Sequence, residues 1–202
     1  MNPTQLTPEE IRRRLEAFPP QVVNPYPEEH LPGRPRHAGV LLPLLPQPEG
    51  WHLLFIRRTV NDHDPHSGEV SFPGGQAEPD DLSPVHTALR ETEEELGLPS
   101  EQVTVLGSLP LHRTASNFWV APVVALLPQP LALSPSPAEV ARVFTVPLAW
   151  LADPAHRETR PRVVLPHLPP VQAVFFQPYQ GEVIWGATAR MVLTLLRALG
   201  QG

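Results

Sequence analysis

The sequence predicts a protein of the α/β class. Apolar runs of strand length fill the first half of the chain, an acidic segment in the middle carries helix-capping residues at both ends, and an amphipathic segment lies near the C-terminus. The chain of 202 residues has the length of one domain with a sizeable core, with room for a short appended segment.

The composition of the chain excludes several classes of function. It carries 15 Lys plus Arg against 21 Asp plus Glu, and this net charge of −6 disfavours electrostatic binding to nucleic acid or to an anionic membrane. The chain contains no cysteine, which excludes disulfides, thiolate catalysis and cysteine-ligated metal sites. It shows neither a membrane-length apolar run nor a secretory signal, so we expect a cytoplasmic protein.

The N-terminal segment predicts a helix and a connector. Thr7 suits a helix cap, Pro8 suits the first helical position, and Glu10 completes a capping box. The segment that follows is rich in proline, glutamate and arginine, which is typical of an extended connector. We therefore expect an N-terminal helix and proline-rich connector over residues 1–36, and the main domain over residues 37–202.

Apolar runs bounded by turn residues predict the strands of the main domain. These runs lie at residues 38–45, 51–57, 70–72, 103–109 and 118–127. The proline-rich residues 128–137 predict a loop, and residues 139–150 combine strand and turn signals. An amphipathic helix is expected over residues 187–199.

The most informative segment is an acidic helix in the middle of the chain, capped by Ser83 and ended by Gly97. At helical spacing, Glu91, Glu94 and Glu95 fall on one face, beside an apolar stripe that would pack on a core. Carboxylates this close repel each other unless a divalent cation lies between them, and hard oxygen ligands favour Mg²⁺ or Mn²⁺. A solvated acidic face is the alternative interpretation.

Two neighbours of the glutamates favour the metal site. The glycine pair Gly74–Gly75 before the helix permits close approach of the backbone and offers a carbonyl oxygen as a further ligand. Arg90 adjoins the first glutamate and can orient a carboxylate through a paired hydrogen bond.

This segment resembles the signature box of the Nudix hydrolases, which cleave nucleoside diphosphates linked to another moiety. The family pattern is a glycine, five residues, a glutamate, seven residues, and then Arg-Glu-aliphatic-any-Glu-Glu-any-Gly-aliphatic. Gly75 opens the box in this sequence. Its second half is matched by Arg90-Glu91, Glu94-Glu95, Gly97 and Leu98.

The sequence departs from the box in its spacing and in two residue types. The interval from Gly75 to Arg90 is one residue longer than in the general pattern, and the internal glutamate is missing, with Asp80-Asp81 nearby instead. Thr92 stands where an aliphatic residue is usual.

A narrower resemblance is to the coenzyme A pyrophosphatase subgroup, which shares the longer interval. It is carried by residues 53–58 and 66–75, and more weakly by residues 116–124, 139–148 and 184–189. It implies hydrolysis of coenzyme A and its derivatives to 3′-phosphoadenosine 5′-phosphate and 4′-phosphopantetheine. The alternatives are a Nudix diphosphatase acting on NADH, ADP-ribose or dinucleoside polyphosphates, and a nucleotide-sensing module without catalysis.

The resemblance implies a fold and a set of metal ligands. The fold is an α/β/α sandwich with a mixed β-sheet, here with a short N-terminal helical extension. Glu91, Glu94, Glu95 and the backbone carbonyl of Gly74 would hold Mg²⁺ or Mn²⁺. Arg90 would orient Glu91. For a base from outside the box we predict Glu139, whose alternative role is that of a polar turn residue.

The substrate is expected to be a small molecule. Arg57 and Arg58 end a predicted strand, so one of the two should face the cleft and hold a substrate phosphate. His66 should line the substrate entrance, and Gly75 should let the backbone approach the substrate. The oligomeric state stays open, with a homodimer as one arrangement.

The loop before His66 holds a second group of possible metal ligands. The group consists of Asp62, His63, Asp64 and His66 itself, in a proline-containing loop without the geometry of zinc ligands, so we do not expect a zinc site there.

Overall fold

An eight-stranded mixed β-sheet forms the centre of the fold. The computed structural model describes residues 6–26, 31, 33–61, 66–163 and 170–200. The strands of this sheet are β1 (Arg36–Gln47), β2 (Gly50–Arg58), β3 (Val70–Ser71), β4 (Gly74–Gln76), β5 (Thr104–Ser108), β6 (His112–Arg113), β7 (Phe118–Leu126) and β8 (Val140–Pro147). A separate hairpin is formed by β9 (Arg157–Arg162) and β10 (Val171–Phe176).

The α-helices are α1 (Pro8–Ala17), α2 (Pro84–Leu96), α3 (Leu148–Ala152) and α4 (Gly186–Ala198). Short 3₁₀ helices lie at Ser100–Gln102 and Pro154–His156. No helix in the described part of the chain is long and apolar enough to span a membrane.

Strand β1 lies at the centre of the sheet. Its partner β7 runs parallel to it, whereas β2 and β4 pair with it in the antiparallel direction. The main path of the sheet is β3-β2-β1-β7-β5, while β4 pairs with β1, β6 with β7 and β8 with β2. The sheet is therefore mixed, as expected.

The two faces of the sheet bury two separate apolar cores, because side chains alternate along each strand. Leu41 and Leu45 of β1 pack in one core with Leu96 of α2. Leu42 and Leu44 pack in the other core with residues of α1 and α4. Helices thus cover both faces, and the predicted α/β/α sandwich is confirmed.

Helix α1 begins with the predicted capping box. The Thr7 hydroxyl accepts a hydrogen bond from the Glu10 backbone N–H, and the Glu10 carboxylate accepts one from the Thr7 N–H. Ile11 and Leu15 are buried in the same core as α4. The N-terminal helical extension is present, and it packs on the sheet.

Helix α2 packs closely on the middle of β1. The Ser83 hydroxyl accepts from the His86 N–H at 3.1 Å, and Gly97 ends the helix with a left-handed φ of +63°. A Cβ on Gly39 of β1 would lie 2.4 Å from the Pro84 carbonyl oxygen, so no side chain fits between strand and helix. This contact holds the acidic helix on the sheet.

The sequence did not specifically predict four short or polar elements, which are β4, β6, α3 and β9. Strands β4 and β6 are only three and two residues long, and α3 is formed by a segment with mixed strand and turn signals. Strand β9 has the sequence RETRPR, in which no apolar residue marks a strand. It forms because each of its residues pairs with a residue of β10.

Candidate active site

The Gly74–Gly75 backbone lies against two glutamates of α2. Gly74 has a φ of +145°, and its N–H donates a hydrogen bond to Glu95 Oε2 at 2.9 Å. A Cβ on Gly75 would lie 2.5 Å from Glu91 Oε2, so any side chain at this position would displace the Glu91 carboxylate. We call Glu91, Glu95 and the Gly74–Gly75 backbone the acidic corner.

Glu95 is the more deeply buried glutamate of the acidic corner, with a side chain that is 1% exposed. Burial raises the pKa of its carboxyl to about 8, and the negative charges of Glu91 and Glu139 act in the same direction. The Gly74 N–H and the Arg58 guanidinium, whose Nη1 lies 3.7 Å from Glu95 Oε1, oppose this shift in pKa. A further cation beside Glu95 would therefore favour its charged form.

Glu91 is held by its neighbour Arg90, whose Nη2 lies 3.0 Å from Glu91 Oε1. Burial raises the pKa of Glu91, and Arg90 opposes that effect. The carboxylates of Glu94 and Glu139 add to the rise.

Glu139 lies in the turn before β8, with an exposed side chain. The Thr59 N–H donates to the Glu139 carbonyl oxygen at 2.9 Å, which ties this turn to the end of β2 beside Arg58. Since Glu139 raises the pKa of both Glu91 and Glu95, its charge acts on the acidic corner.

Glu94 points toward Arg90, whose Nη1 donates to its carboxylate at 3.2 and 3.3 Å. Within the described ranges, no three acidic or histidine side chains are arranged as a ready cation site. The acidic corner nevertheless presents only carboxylate and backbone oxygens, the donors that a hard divalent cation prefers. These donors fit Mg²⁺ or Mn²⁺ in their chemistry, and Glu94 must leave Arg90 in order to join them.

Asp81, for which no role was predicted from the sequence, is the main partner of Arg90. Arg90 donates from Nε and Nη2 to the two Asp81 carboxylate oxygens at 3.1 and 3.0 Å. This pairing lowers the pKa of Asp81 and raises that of Arg90. Counting from Gly75 would have found it, because five residues separate Gly75 from Asp81, the interval at which the family pattern has a glutamate.

We expect Asp81→Asn to lower kcat/KM by about tenfold, because residues that orient metal ligands typically contribute about ten- to a hundredfold to activity. The asparagine keeps only one acceptor oxygen, so Arg90 loses one of its two hydrogen bonds to residue 81 and is held less firmly between Glu91 and Glu94. Steady-state kinetics check this expectation. Asp80→Asn is the matched control, since Asp80 is the exposed neighbour, and an equal loss in both variants would contradict the role of Asp81.

The structure separates the two arginines that end β2. Arg58 lies beside Glu95, whereas Arg57 Nη1 lies 3.5 Å from Glu182 Oε1, away from the acidic corner. Arg142 also pairs with Glu182, at 3.0 Å. Arg58 is thus the arginine that lies at the acidic corner.

A cavity of about 340 Å³ opens beside the acidic corner. Its lining includes Gly74, Gly75, Arg58 and His66. The Nδ1 of His66 lies 3.0 Å from Glu69 Oε2. Most other lining side chains are apolar, among them Val40, Phe72, Phe118, Val120, Trp185 and Met191. We call this space the apolar cavity. Asp62, His63 and Asp64 lie outside the described residues.

We expect the metal-free protein to become less stable as the pH rises from 6.5 toward 8, within the interval between the ordinary pKa of Glu95 and its folded-state value of about 8. In that interval the folded state binds more protons than the unfolded state, so the free energy of unfolding falls by at most about 1.4 kcal/mol per pH unit for this group. Below pH 6.5 the buried His112, whose pKa is lowered to about 3, acts in the opposite direction. Denaturant titrations at several pH values measure the slope. Glu95→Gln should have a flatter slope, and an unchanged slope would contradict the assignment.

Residues 34–168 of the chain match the family model described as NUDIX domain. The chain belongs to the Nudix family. An uncharacterized Nudix hydrolase NudL from Photorhabdus laumondii is 39% identical over 180 residues, which cover 85% of this chain and 89% of that relative. A NudL protein of Yersinia pestis (strain Pestoides F) is 37% identical over 168 residues, covering 82% of this chain and 79% of the relative.

Solved structures of Nudix proteins resemble this Nudix chain over part of its length. RenU, a Nudix hydrolase from M. smegmatis, has a TM-score of 0.48 at 26% identity and covers 62% of this chain and 79% of its own. A C. elegans Ap4A hydrolase has a TM-score of 0.47 at 20% identity, with coverages of 56% and 80%.

Family membership supports a pyrophosphohydrolase activity for this Nudix protein. Nudix hydrolases generally use divalent metal ions. The oxygen donors of the acidic corner agree with that general requirement.

Proposed function

We propose that this Nudix protein hydrolyses the diphosphate of coenzyme A and its derivatives to 3′-phosphoadenosine 5′-phosphate and 4′-phosphopantetheine, with Mg²⁺ or Mn²⁺. The observation that carries the proposal is the junction of the acidic corner with the apolar cavity at Gly74–Gly75. A diphosphate at the corner would have its charge met by the cation and by Arg58. The long uncharged pantetheine arm would then lie in the apolar cavity.

The residues of the acidic corner and their neighbours have separate proposed roles. Glu91, Glu95 and the Gly74 carbonyl would hold the cation, with Glu94 released from Arg90 as a further ligand. A divalent cation held there supplies charge neutralisation for the diphosphate and acidifies a water molecule. Arg90, fixed by Asp81, keeps Glu91 in place.

The remaining proposed roles belong to residues at the edge of the corner. Arg58 binds a phosphate oxygen through its guanidinium. Glu139, whose side chain is exposed and whose charge acts on Glu91 and Glu95, accepts the proton of the attacking water. His66 lines the entrance of the apolar cavity.

The test is incubation of the purified chain with coenzyme A and Mg²⁺ or Mn²⁺, followed by separation of the products. We expect 3′-phosphoadenosine 5′-phosphate and 4′-phosphopantetheine in equal amounts. Failure to form them with either metal would refute the coenzyme A assignment. A panel of NADH, ADP-ribose and dinucleoside polyphosphates, compared by kcat/KM, decides between coenzyme A and the alternative substrates.

The Glu91→Gln variant distinguishes a hydrolase from a protein that binds nucleotides without hydrolysing them. Glu91→Gln keeps the shape of the side chain and removes its charge, so we expect product formation to be lost while nucleotide binding remains measurable. If product formation by Glu91→Gln equals that of the wild type, the acidic corner does not carry the reaction.

A further inference from the structure

A second cavity, of about 240 Å³, lies beside the C-terminal half of α4 and is lined by three arginines. We call it the arginine pocket. Arg157 comes from the start of β9, and Arg190 and Arg197 come from α4. Its other lining residues are Val23, Leu193, Thr194 and Leu196. Across the described ranges no acidic side chain belongs to this lining.

The three arginines bind neutral oxygens of the protein. Arg157 donates to the Leu151 and Ala152 carbonyl oxygens at 3.3 and 3.5 Å. Arg190 donates to the Arg113 carbonyl oxygen at 3.3 Å, and Arg197 donates to Thr194 Oγ1 at 3.2 Å.

These contacts leave the positive charge of the pocket without a counterion. In the part of the chain that the structure describes, none of the three arginines forms an ion pair with a carboxylate. The Arg190 guanidinium also lies over the Tyr26 ring, with its Cζ 5.6 Å from the ring centroid. No carboxylate among the described residues neutralises the three positive charges, and this excess of positive charge favours an anion.

Two side chains, one in the pocket lining and one adjoining it through Val23, have buried nitrogen atoms without a hydrogen-bond partner among the described residues. The Arg190 Nε is buried and has no hydrogen-bond partner among the described residues. His112, which is fully buried, pairs through its backbone with Val23 in an isolated bridge. Burial and the charges of Arg190 and Arg197 together lower the pKa of His112 to about 3, so this imidazole stays neutral and adds no charge of its own.

We propose that the arginine pocket binds a phosphate group. The planar guanidinium carries several N–H donors in a fixed arrangement that matches the oxygens of phosphate, and three of them line this pocket. A tetrahedral phosphate would accept hydrogen bonds from the arginine groups that face the cavity and would neutralise their charge. The site is distinct from the acidic corner, whose carboxylates repel anions.

The phosphate has two chemical sources. Arg190 lines both the arginine pocket and the apolar cavity, so the two spaces share one side chain. The bound group is therefore either a free phosphate ion or a terminal phosphate of the substrate. The second source rests on the proposed coenzyme A hydrolysis, because coenzyme A carries a phosphate monoester away from its diphosphate.

The experiment is calorimetric titration of the full chain with inorganic phosphate in metal-free buffer. We expect wild-type protein to bind phosphate, and Arg157→Gln and Arg197→Gln each to weaken the affinity by about tenfold, the usual effect of losing a charge-assisted hydrogen bond. Arg160→Gln is the matched control, since Arg160 is an exposed arginine that pairs with Glu158. The melting temperature of each variant without phosphate verifies that it is folded.

Two results would overturn the site. One is the absence of phosphate binding by wild-type protein. The other is an equal affinity in wild type, Arg157→Gln and Arg197→Gln, with loss of binding in Arg58→Gln instead, which would place the ion at the acidic corner. Neither result depends on which substrate is hydrolysed. The absence of phosphate binding in the arginine pocket can therefore be distinguished from the absence of coenzyme A hydrolysis.

Kinetics then identify the source of the phosphate. If the pocket holds the substrate's own phosphate, Arg197→Gln raises KM for coenzyme A by about tenfold and leaves KM for 3′-dephospho-coenzyme A unchanged. If it holds a free ion, the variant changes neither KM, and calorimetry alone shows the loss. Both patterns support the site once phosphate binding has been measured.

Discussion

Glu95→Gln is expected to reduce hydrolysis by at least about a hundredfold while making the metal-free protein more stable. The activity falls because a neutral amide is a weaker ligand for a hard cation than a carboxylate, and even residues that only support a metal ligand contribute about ten- to a hundredfold. The stability rises because the substitution removes a carboxyl group whose ionisation inside the protein is unfavourable. We expect a gain of about 1–3 kcal/mol in the free energy of unfolding near pH 8.

The geometry of the corner explains why glutamine fits. Its amide oxygen can still accept the hydrogen bond from the Gly74 N–H, so the variant keeps the local backbone arrangement. Mg²⁺ should raise the melting temperature of the wild type and have a smaller effect on the variant, because a ligand stabilises a protein only through the folded state that binds it.

Glu93→Gln is the matched control, because Glu93 lies on the same helix with an exposed side chain that accepts from the Ser100 N–H at 3.2 Å. Activity and stability of the control should stay close to those of the wild type. A Glu95→Gln variant that retains full activity, or that loses stability at alkaline pH, would contradict the place of Glu95 in the acidic corner.

Gly39→Ala is expected to lower the free energy of unfolding by about 3 kcal/mol, the upper part of the range for overpacking. The added Cβ would lie 2.4 Å from the Pro84 carbonyl oxygen and 2.9 Å from the Ala88 backbone nitrogen. Both atoms belong to the backbone of α2, which cannot move aside as a flexible side chain can. The helix would have to shift away from β1, and the glutamates would move with it.

Denaturant unfolding measures the loss, and kinetics on the folded variant should show reduced activity as well. Gly107→Ala is the matched control, because it is the same substitution in strand β5 and meets only the Leu15 side chain, at 3.1 Å. We expect a loss below about 1 kcal/mol for the control. Equal losses in the two variants would show that the contact between β1 and α2 is not rigid.

The sequence predicted the elements that have strong local signals. Helix α1 has its capping box, α2 begins after Ser83 and ends at Gly97, and the apolar runs became β1, β2, β5 and β7. These elements are determined by neighbouring residues, so a linear pattern is enough. Strand β9 has no such signal, because only its pairing with β10 makes it a strand.

The candidate site was less predictable, since it depends on side-chain directions. Helical spacing placed Glu91, Glu94 and Glu95 on one face, but it does not show that Glu94 turns toward Arg90. Alternation along β2 predicted that one arginine faces the cleft. Which of the two would do so depends on how the strand is packed. In the structure Arg58 lies beside Glu95, and Arg57 lies beside Glu182.

The pairing of Asp81 with Arg90 bears on how a sequence signature should be read. Asp81 stands where the family pattern has a glutamate, and its side chain is shorter by one carbon. The segment between Asp81 and Arg90 is longer by one residue than in the pattern. The Asp81 carboxylate and the Arg90 guanidinium nevertheless form two hydrogen bonds. In this chain, a shorter acidic side chain followed by a longer segment therefore still pairs with the arginine. A search that allows either acid and a variable gap would recognise divergent members that a fixed string of letters overlooks.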